Sequence, residues 1–452
     1  MSSLLIAGGR AMDPASGLDR QADVAIEAGF VVAIGPGLDP AHADEVLDAR
    51  GCLVTPGLID PHVHLREPGR EEAETIASGT AAAVMGGFTT VCCMPNTTPA
   101  LDDDAMVEFV YRQTERTGRC RVFPVGAVSK GRQGQELAQI GLMARAGAVG
   151  FTDDGDCVAS AGLMLRALQY IRPTGLALMQ HCQEPTLTAG AHMHAGAVAT
   201  RLGLGGWPRV AEELIVERDV RLNRAVGCRY HAQHLSSGGS VEIVRRARAE
   251  GQPVSAEVAP HHLLLEHDEV ARHGGYWTDA KMNPPLRERG DIEALRAGVA
   301  DGTITVLATD HAPHTPDSKQ LQFDQAPFGI VGLETALSLY HEALVATGLI
   351  PWMRLIELMT LGPARLCGFD RPAPAPGAGL GRLAVGGPGD VTVIDPDAPW
   401  TIRTAEFAGR SRNTPFDGRS VRARAVATVV AGRVRYEAAP GTRLRGKNPQ
   451  RS

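Results

Sequence analysis

The sequence predicts an α/β protein with a (β/α)8 TIM-like barrel and a small β-sandwich domain built from both chain termini. Strand-like apolar runs alternate with helix-like stretches over roughly 300 residues. Eight such runs occur, and short β-like segments precede the first and follow the last. Strands that alternate with helices are typical of a parallel sheet, and eight repeats are the number that closes a barrel.

The strand-like runs are bounded by Gly, Pro, Asn and Asp, which favour turns. Several of the helix-like stretches end on glycine, the expected stop signal of a helix. The predicted barrel strands are, in chain order, 53–64, 88–96, 121–129, 147–155, 175–182, 230–237, 253–262 and 304–314. The predicted helices include 71–87, 103–118, 162–171, 239–251 and 332–348.

Both ends of the chain consist of short β-like runs with turns, and these could pair into one small sheet domain. The runs are 4–13, 22–37, 389–397 and 423–437. The last residues are basic and polar and are expected to be disordered. The predicted division is 1–54 and 369–440 for the small β domain, 55–368 for the barrel and 441–452 for the disordered tail.

The composition is that of an ordinary globular protein and excludes several classes of partner. The 452 residues are 44% hydrophobic and 21% charged, with a net charge of -6, which gives no reason to expect nucleic acid or a membrane surface as partner. No apolar run reaches the roughly 18 residues of a membrane span, and no secretory leader is evident. Eight scattered cysteines without a C-x-x-C motif indicate reduced thiols and a cytoplasmic protein.

Polar side chains collect at the carboxyl ends of the predicted strands, where barrel enzymes assemble their active sites. His62 and His64 close the first strand on either side of a valine. Alternate residues of a strand share one face, so Arg66 would join them if the strand geometry continues. The other strand ends carry Asn96, Asp153, Asp154, His181, His234, Asp310 and, just beyond, His314.

Imidazole and carboxylate side chains together are ligands for zinc and related divalent ions. Six such groups exceed the four that one structural zinc requires, so the pattern favours a catalytic site with one or two ions. A carboxylate can bridge two ions, and a bound ion brings the pKa of water toward neutrality. The residues therefore predict hydrolysis, or its reverse, at an amide-like carbonyl. Of the adjacent Asp153 and Asp154, one can serve only the Asp-Gly turn.

Other histidines and cysteines in the chain are interpreted as structural. His192 and His194 form a second His-x-His pair, but no apolar run precedes them, and we predict a surface loop. His261 and His262 follow the seventh strand, where packing or hydrogen bonding is favoured over metal ligation. Cys182 points to the opposite face of its strand from the neighbouring histidine and is expected in the core.

Several motifs in this chain resemble those of the dihydroorotases, which belong to the amidohydrolase superfamily. The resemblance covers residues 50–370 and implies a zinc enzyme of pyrimidine (UMP) biosynthesis that interconverts N-carbamoyl-L-aspartate and L-dihydroorotate. The motifs are GLIDPHVHLREPG (57–69), CCMPNTTP (92–99), GFTDDG (150–155), AQHLSS (232–237), EVAPHHLLL (257–265), KMNPPLR (281–287), ATDHAPH (308–314) and APFGIVGLET (326–335).

The resemblance assigns roles to the matching positions. It implies six zinc ligands in two sets that share a bridging carboxylate: His62, His64 and Asp310 for the first ion, His181 and His234 for the second, and Asp154 between them. Asp310 would also act as general base and acid while a metal-bound hydroxide attacks the ring carbonyl. The implied substrate contacts are His64, Arg66, Asn96, Asn283, His314, Phe328 and Gly329.

Two further expectations concern the substrate. The planar guanidinium of Arg66 suits recognition of a substrate carboxylate through two hydrogen bonds. The segment from His314 to Gly329 is polar and long enough to act as a lid.

Two features distinguish the chain from some relatives of that superfamily. Hydantoinases, allantoinases and some dihydroorotases bridge their metals with a carboxylated lysine after strand four, but that strand here ends in two aspartates. Lys130 follows strand three and is expected to face solvent. Gln183 stands where relatives usually carry an acidic residue, and with Gln180 it is expected to alter the hydrogen bonds around His181.

Three functional hypotheses stay open at this point: an active dihydroorotase, another cyclic-amide hydrolase such as a hydantoinase or allantoinase, and a non-catalytic subunit that supports a transcarbamoylase. The complete ligand set favours the first, because inactive relatives typically lack metal-binding histidines. The expected partner is the small-molecule substrate, in a homodimer that could associate with aspartate transcarbamoylase. The sequence leaves open whether one or two zinc ions bind.

Overall fold

The strands and helices alternate along most of the chain. The structure is a computed structural model that describes residues 3–439 and 444–445. Its strands are β1 (Ser3–Asp13), β2 (Leu18–Glu27), β3 (Phe30–Gly35), β4 (Glu45–Asp48), β5 (Leu53–Pro56), β6 (Leu58–Val63), β7 (Phe88–Cys93), β8 (Arg121–Pro124), β9 (Gly150–Phe151), β10 (Ala177–Gln180), β11 (Met193–His194), β12 (Gly206–Trp207), β13 (Arg229–Ala232), β14 (Val254–Val258), β15 (Val306–Leu307), β16 (Val391–Thr401), β17 (Ser420–Val430), β18 (Arg433–Glu437) and β19 (Leu444–Arg445).

The helices begin and end with the signals that the sequence carries. Asp103 and Ser160 cap two helices by accepting a free backbone N–H, and Gly147 and Gly227 end two others in the left-handed conformation. The helices are α1 (Ile76–Met85), α2 (Asp104–Thr117), α3 (Ile140–Ala146), α4 (Ala161–Ile171), α5 (Pro185–Thr188), α6 (Ala197–Leu202), α7 (Val210–Val226), α8 (Gly238–Ala249), α9 (Pro260–Leu264), α10 (Arg289–Ala300), α11 (Pro316–Lys319), α12 (Ala336–Tyr340), α13 (Trp352–Met359) and α14 (Leu361–Cys367).

Eight parallel strands follow one another around a closed ring. β6, β7 and β8 form one sheet, and β9, β10, β13, β14 and β15 form a second in that order. Isolated parallel bridges join the two sheets on both sides, between Gly126 and Phe151 and between Val63 and His311. The ring places the carboxyl ends of all eight strands at the same edge, which is where the predicted site residues lie.

The ring strands are largely apolar because both of their faces are covered. Every residue of β6 and β7 is buried. The largest core cluster joins residues from the ring strands and the surrounding helices, including Val91, Phe151, Leu168, Val244 and Leu355. The ring is therefore a packed scaffold that fixes the directions of the side chains at its strand ends.

The two ends of the chain combine in one sheet, as the sequence predicts. Its strand order is β18-β17-β16-β5-β1-β2-β3, and β4 pairs with β1 and with β19. β5 links the N-terminal strands to β16, with Thr55 opposite Thr392. The boundary expected between residues 54 and 55 falls inside β5, and the chain passes from the sheet to the ring at Gly57.

The tail expected to be disordered is described only in part. Leu444 and Arg445 pair antiparallel with Leu47 and Val46 of β4. Residues 441–443 and 446–452 of that predicted tail lie outside the described residues. Within the described part of the chain, no helix has the length and apolar character needed to cross a membrane.

Candidate metal centre and substrate pocket

The six side chains predicted as metal ligands come together at the carboxyl-terminal edge of the ring. Asp154 lies at the centre. One of its carboxylate oxygens is 3.2 Å from His62 Nε2 and 3.3 Å from His234 Nε2. The other oxygen is 3.4 Å from His64 Nε2, and His181 Nδ1 lies 3.6 Å from the first.

These side chains form two groups that could each hold a metal ion. One contains His62, His64 and Asp154, and the other contains Asp154, His181 and His234. The candidate ligand atoms within each group lie within 4.8 Å of one another, and all of these residues are buried. Asp154 belongs to both groups, which is the position a bridging carboxylate requires.

Asp310 lies beside the first group. Its Oδ1 is 3.1 Å from His64 Nε2 and 3.6 Å from His62 Nε2. Its backbone has φ +50°, and that of His234 has φ +29°, a region that residues other than glycine rarely adopt. Such strain persists only where the surrounding structure enforces it, and it is concentrated at functional sites.

The cluster favours ionised carboxylates although it is buried. Burial opposes ionisation of Asp154, but attraction to His62 and hydrogen bonds with His181 and His234 hold its pKa well below the ordinary value. Burial is likewise outweighed at Asp310 by the hydrogen bond with His64, and the pKa of that carboxyl is lowered. Both groups are therefore anionic at neutral pH, the form that binds a cation.

Three histidines of the cluster are oriented by a partner on the other ring nitrogen. His62 Nδ1 lies 2.6 Å from Glu257 Oε1, and His64 Nδ1 lies 2.8 Å from Asn96 Oδ1. His181 Nε2 lies 2.9 Å from Gln183 Oε1, so this imidazole presents Nδ1 to the cluster. Partners of this kind fix the tautomer and ring orientation of metal-binding histidines.

Glu257 is a residue that sequence reasoning missed. It is buried on β14, where attraction to His62 and hydrogen bonds from His231 and His62 outweigh burial and lower its pKa to about 2. The sequence signal that could have identified Glu257 was a carboxylate among the mostly apolar residues of this strand.

Glu257→Gln should weaken metal binding at the His62 position by about 10- to 100-fold, because the neutral amide no longer raises the basicity of that imidazole. Competition between the protein and a zinc chelator measures this. Ser255→Ala is the matched control, because Ser255 Oγ contacts Nδ1 of His231, whereas Glu257 contacts Nε2 of the same ring. Equal affinities for Glu257→Gln and the unsubstituted protein would contradict the assigned role.

A cavity of about 280 Å³ opens beside the cluster. All the substrate contacts expected from the sequence line it, and so do five of the six ligand candidates, His62 being the exception. Arg66 does not arrive there on a continued strand, because β6 ends at Val63 and the Arg66 backbone has φ +60°. The turn brings its Nη2 to 3.5 Å from His314 Nε2, and its Nε donates to the carbonyl of Pro313.

Asn413 also shapes this cavity and was not expected from the sequence. Its Nδ2 donates to the carbonyls of Gly329 and Ala312, both at 3.1 Å, and its Oδ1 accepts the backbone N–H of His314. The residue belongs to the segment between β16 and β17, far from the ring in sequence. Only the tertiary structure brings it to the site.

Several residues near the predicted ligands have other roles. Asp153 points away from the cluster and accepts backbone N–H groups of Val128 and Ser129. Lys130 is exposed and pairs with Glu136.

The surface-loop prediction for His192 and His194 is wrong for His194, which is buried. It lies on β11, which pairs with β12, and its Nδ1 is 3.2 Å from Arg287 Nη1. The error arose because a strand of two residues has no detectable periodicity. Among the described residues, neither histidine belongs to a group able to hold a metal.

The remaining structural interpretations agree with the observed positions. His261 and His262 are buried, and His262 Nε2 donates to the carbonyl of Pro284 at 3.0 Å. Cys182 is buried against Tyr230.

Comparisons with known proteins identify the family of the chain. A family model described as "Dihydro-orotase-like" matches residues 51–240. Over 431 residues, the chain is 49% identical to the dihydroorotase of Pelotomaculum thermopropionicum, a match that covers 95% of this chain and 98% of the relative. It is 48% identical over 434 residues to the dihydroorotase of Anaeromyxobacter dehalogenans, with 96% and 98% covered.

Among solved structures, the fold is similar to that of the L-hydantoinase (dihydropyrimidinase) from Arthrobacter aurescens. The TM-score is 0.84 at 26% identity, and 96% of each chain is covered. The sequence relatives are much nearer and match over nearly their whole length, so the chain belongs to the dihydroorotase family.

Proposed function

We propose that this protein is a zinc-dependent dihydroorotase that reversibly cyclises N-carbamoyl-L-aspartate to L-dihydroorotate and water in pyrimidine biosynthesis. One observation carries the proposal: two groups of metal-competent ligands share Asp154, directly beside a cavity lined by Arg66, Asn96 and His314. This arrangement combines a site for cations with a site for a carboxylate, and both substrate and product carry carboxylates.

The residues present fit divalent zinc. His62 Nε2 is buried without a hydrogen-bond partner although it lies among Asp154, His64 and Asp310, and a buried polar atom of this kind requires a partner. The donor set of imidazole and carboxylate is the one that zinc prefers. His62, His64 and Asp310 would hold one ion, His181 and His234 a second, and Asp154 both. Such ions ionise a water molecule near neutral pH and polarise the attacked carbonyl.

The protein's own side chains bind the substrate and move the proton. The Arg66 guanidinium, with Asn96 and His314, would hold the substrate carboxylate. Asn283, Phe328 and Gly329 would contact the ring, and His64 would also face the substrate. Asp310 is ionised and lies next to the first ligand group, so it would take up a proton during ring opening and return it during closure.

The aspartate after β9 supports this reaction over hydantoinase or allantoinase activity. The relatives that use a carboxylated lysine require a lysine at that position, where this chain has Asp154. Lys130 follows β8 instead and is exposed and paired with Glu136. The complete ligand set also argues against a non-catalytic subunit. We further infer that the closed ring of strands is a (β/α)8 barrel and the terminal sheet a sandwich. Seven of the eight cysteines are buried, and the chain has no C-x-x-C motif, which supports a cytoplasmic location.

A substrate panel tests the proposed function. Protein stripped of metal and then restored with zinc is assayed with dihydroorotate, hydantoin and allantoin. We expect turnover of dihydroorotate only, lost on chelation and regained with zinc. Hydrolysis of hydantoin or allantoin without dihydroorotate would contradict the substrate assignment. Zinc-loaded protein that is inactive on all three would favour the non-catalytic subunit.

The equilibrium position should depend on pH. Ring opening creates one additional carboxyl group, and it is ionised well above its pKa of about 4. The ratio of N-carbamoyl-L-aspartate to dihydroorotate should therefore rise about tenfold per pH unit near neutrality. Chromatography of mixtures approached from both directions between about pH 5 and pH 8, where proteins tend to be most stable, measures this. A ratio that does not vary with pH would show that the reaction is a different one.

A further inference from the structure

The chain uses lysine at only four positions although Lys and Arg together number 45. Two of the four, Lys281 and Lys319, are buried, with 1% and 6% of their surface exposed. Lys130 is exposed, and Lys447 lies outside the described residues. The protein uses arginine at most other basic positions, yet its two buried lysines both contact one segment, residues 323–329.

Lys281 contacts the segment 323–329 through both its ammonium group and its backbone carbonyl. Its Nζ donates to the backbone carbonyls of Phe323 and Ala326, and lies 3.2 Å from that of Asp324. The same ammonium lies 4.5 Å from the centre of the Phe328 ring, a distance at which a cation is attracted to the ring face. The backbone carbonyl of Lys281 accepts the N–H of Gly329 at 2.8 Å.

Lys319 binds the other end of the same segment. Its Nζ donates to the carbonyls of Pro327 and Gly329 at 3.0 Å and 3.2 Å. Within the described part of the chain, neither lysine forms an ion pair with a carboxylate at 4.0 Å or less. The two ammonium groups together donate hydrogen bonds to five backbone carbonyls of one seven-residue segment.

The choice of lysine follows from geometry. An ammonium carries three donors around a single nitrogen, which suits carbonyls that converge on one point, whereas the planar guanidinium of arginine suits parallel acceptors. Buried carbonyls without donors cost free energy. Without these lysines, the segment 323–329 would relax toward solvent to satisfy its carbonyls.

The segment is part of the substrate pocket. Pro327, Phe328 and Gly329 line the cavity beside the metal cluster, and the carbonyl of Phe328 accepts a hydrogen bond from His314 Nε2 at 2.7 Å. The Phe328 ring also lies edge-on to Trp207, at 6.1 Å between centres. Movement of the segment would therefore displace several groups that face the substrate.

We propose that Lys281 and Lys319 are positioning residues that form a brace, the lysine brace, which holds segment 323–329 in the conformation that binds substrate. This inference rests on the proposed function, because the pocket is taken to be that of a dihydroorotase. Neither lysine touches the metal cluster, so the brace acts on substrate binding rather than on the chemical step.

The test compares Lys281→Met and Lys319→Met with Lys130→Met, a matched substitution at an exposed lysine. KM and kcat for dihydroorotate, metal content and amide hydrogen exchange are measured for each. We expect KM to rise about tenfold or more in both brace variants, because bonds from a charged donor are lost. The values of kcat and metal content should stay near those of the unsubstituted protein. Exchange should become faster at Gln325, Ala326 and Gly329 and nowhere else.

A local role and a general loss of stability give different results in these measurements. Unchanged KM in both variants, or loss of kcat together with faster exchange throughout the protein, would overturn the proposal. Should the methionine variants fail to fold, Lys319→Gln, which keeps an amide donor, carries the same expectations. If the unsubstituted protein does not turn over dihydroorotate, the proposed function fails. Hydrogen exchange then still tests the brace, because local opening supports it and unchanged exchange overturns it.

Discussion

Asp310→Asn should lower kcat for dihydroorotate by about 1,000-fold, within the range of effects seen when a general acid–base group is lost. Asparagine has nearly the same shape as aspartate but can neither take up nor return a proton. Asp310 is one of the proposed ligands of the first ion, and the carbonyl oxygen of asparagine keeps a ligand atom at that position. The metal-competent group of His62, His64 and Asp154 is also complete without it, so both ions should remain. Steady-state kinetics in both directions, with metal content determined on the same samples, measures the effect.

Asp156→Asn is the control for this prediction. Asp156 lies on the same edge of the ring, but its carboxylate is 60% exposed and pairs with Arg132. We expect this variant to retain nearly all activity. Full turnover by Asp310→Asn with normal metal content would contradict the assigned proton transfer. Loss of metal in that variant would show that Asp310 acts mainly as a ligand.

The clustering of the candidate ligands could be predicted from sequence because the alternation of strands and helices determines where strand ends lie. The residues concerned lie at the carboxyl ends of parallel strands of one ring, so their convergence follows from the shared edge, without knowledge of any side-chain conformation. They are His62, Asp154, His181 and His234. The choice between Asp153 and Asp154 could not be made in this way. That choice depends on which of the two carboxylates accepts the backbone N–H groups of Val128 and Ser129, and the structure shows that Asp153 does.

Residues that reach the site from distant segments could not be predicted. Asn413 meets Gly329 across 84 positions of sequence, and no local periodicity encodes that contact. His194 lies on a strand of two residues, too short to show alternation. The helix expected over 332–348 begins only at Ala336 and continues as a π-helical turn at His341–Val345, because tertiary packing overrides local propensity.

The sequence shows that lysine is rare, but it does not show which contacts the lysines make. Counting lysines identifies Lys281 and Lys319 as unusual, yet only the structure shows that both are buried against the same segment. Composition can thus indicate which residues to test, while the partners that account for them come from the fold.

Asp154→Ala should weaken metal binding at both positions by more than about 100-fold, since loss of a partner outside the ligand shell already costs up to that amount. The structure gives the reason: Asp154 lies 3.2 to 3.4 Å from His62, His64 and His234. Turnover should fall with metal content. Mass spectrometry of bound metal, after equilibration with limiting zinc, gives the stoichiometry.

Two comparisons decide whether Asp154 bridges. His181→Ala should empty only the position that His181 and His234 share, so the stoichiometry falls by one ion, whereas Asp154→Ala affects both. Asp153→Asn should keep the full stoichiometry, because that carboxylate accepts hydrogen bonds from Val128 and Ser129 instead. If Asp154→Ala and His181→Ala lose the same single ion, Asp154 serves one metal only. The two ligand groups would then act as separate sites, and the shared-carboxylate geometry could not be the basis of catalysis.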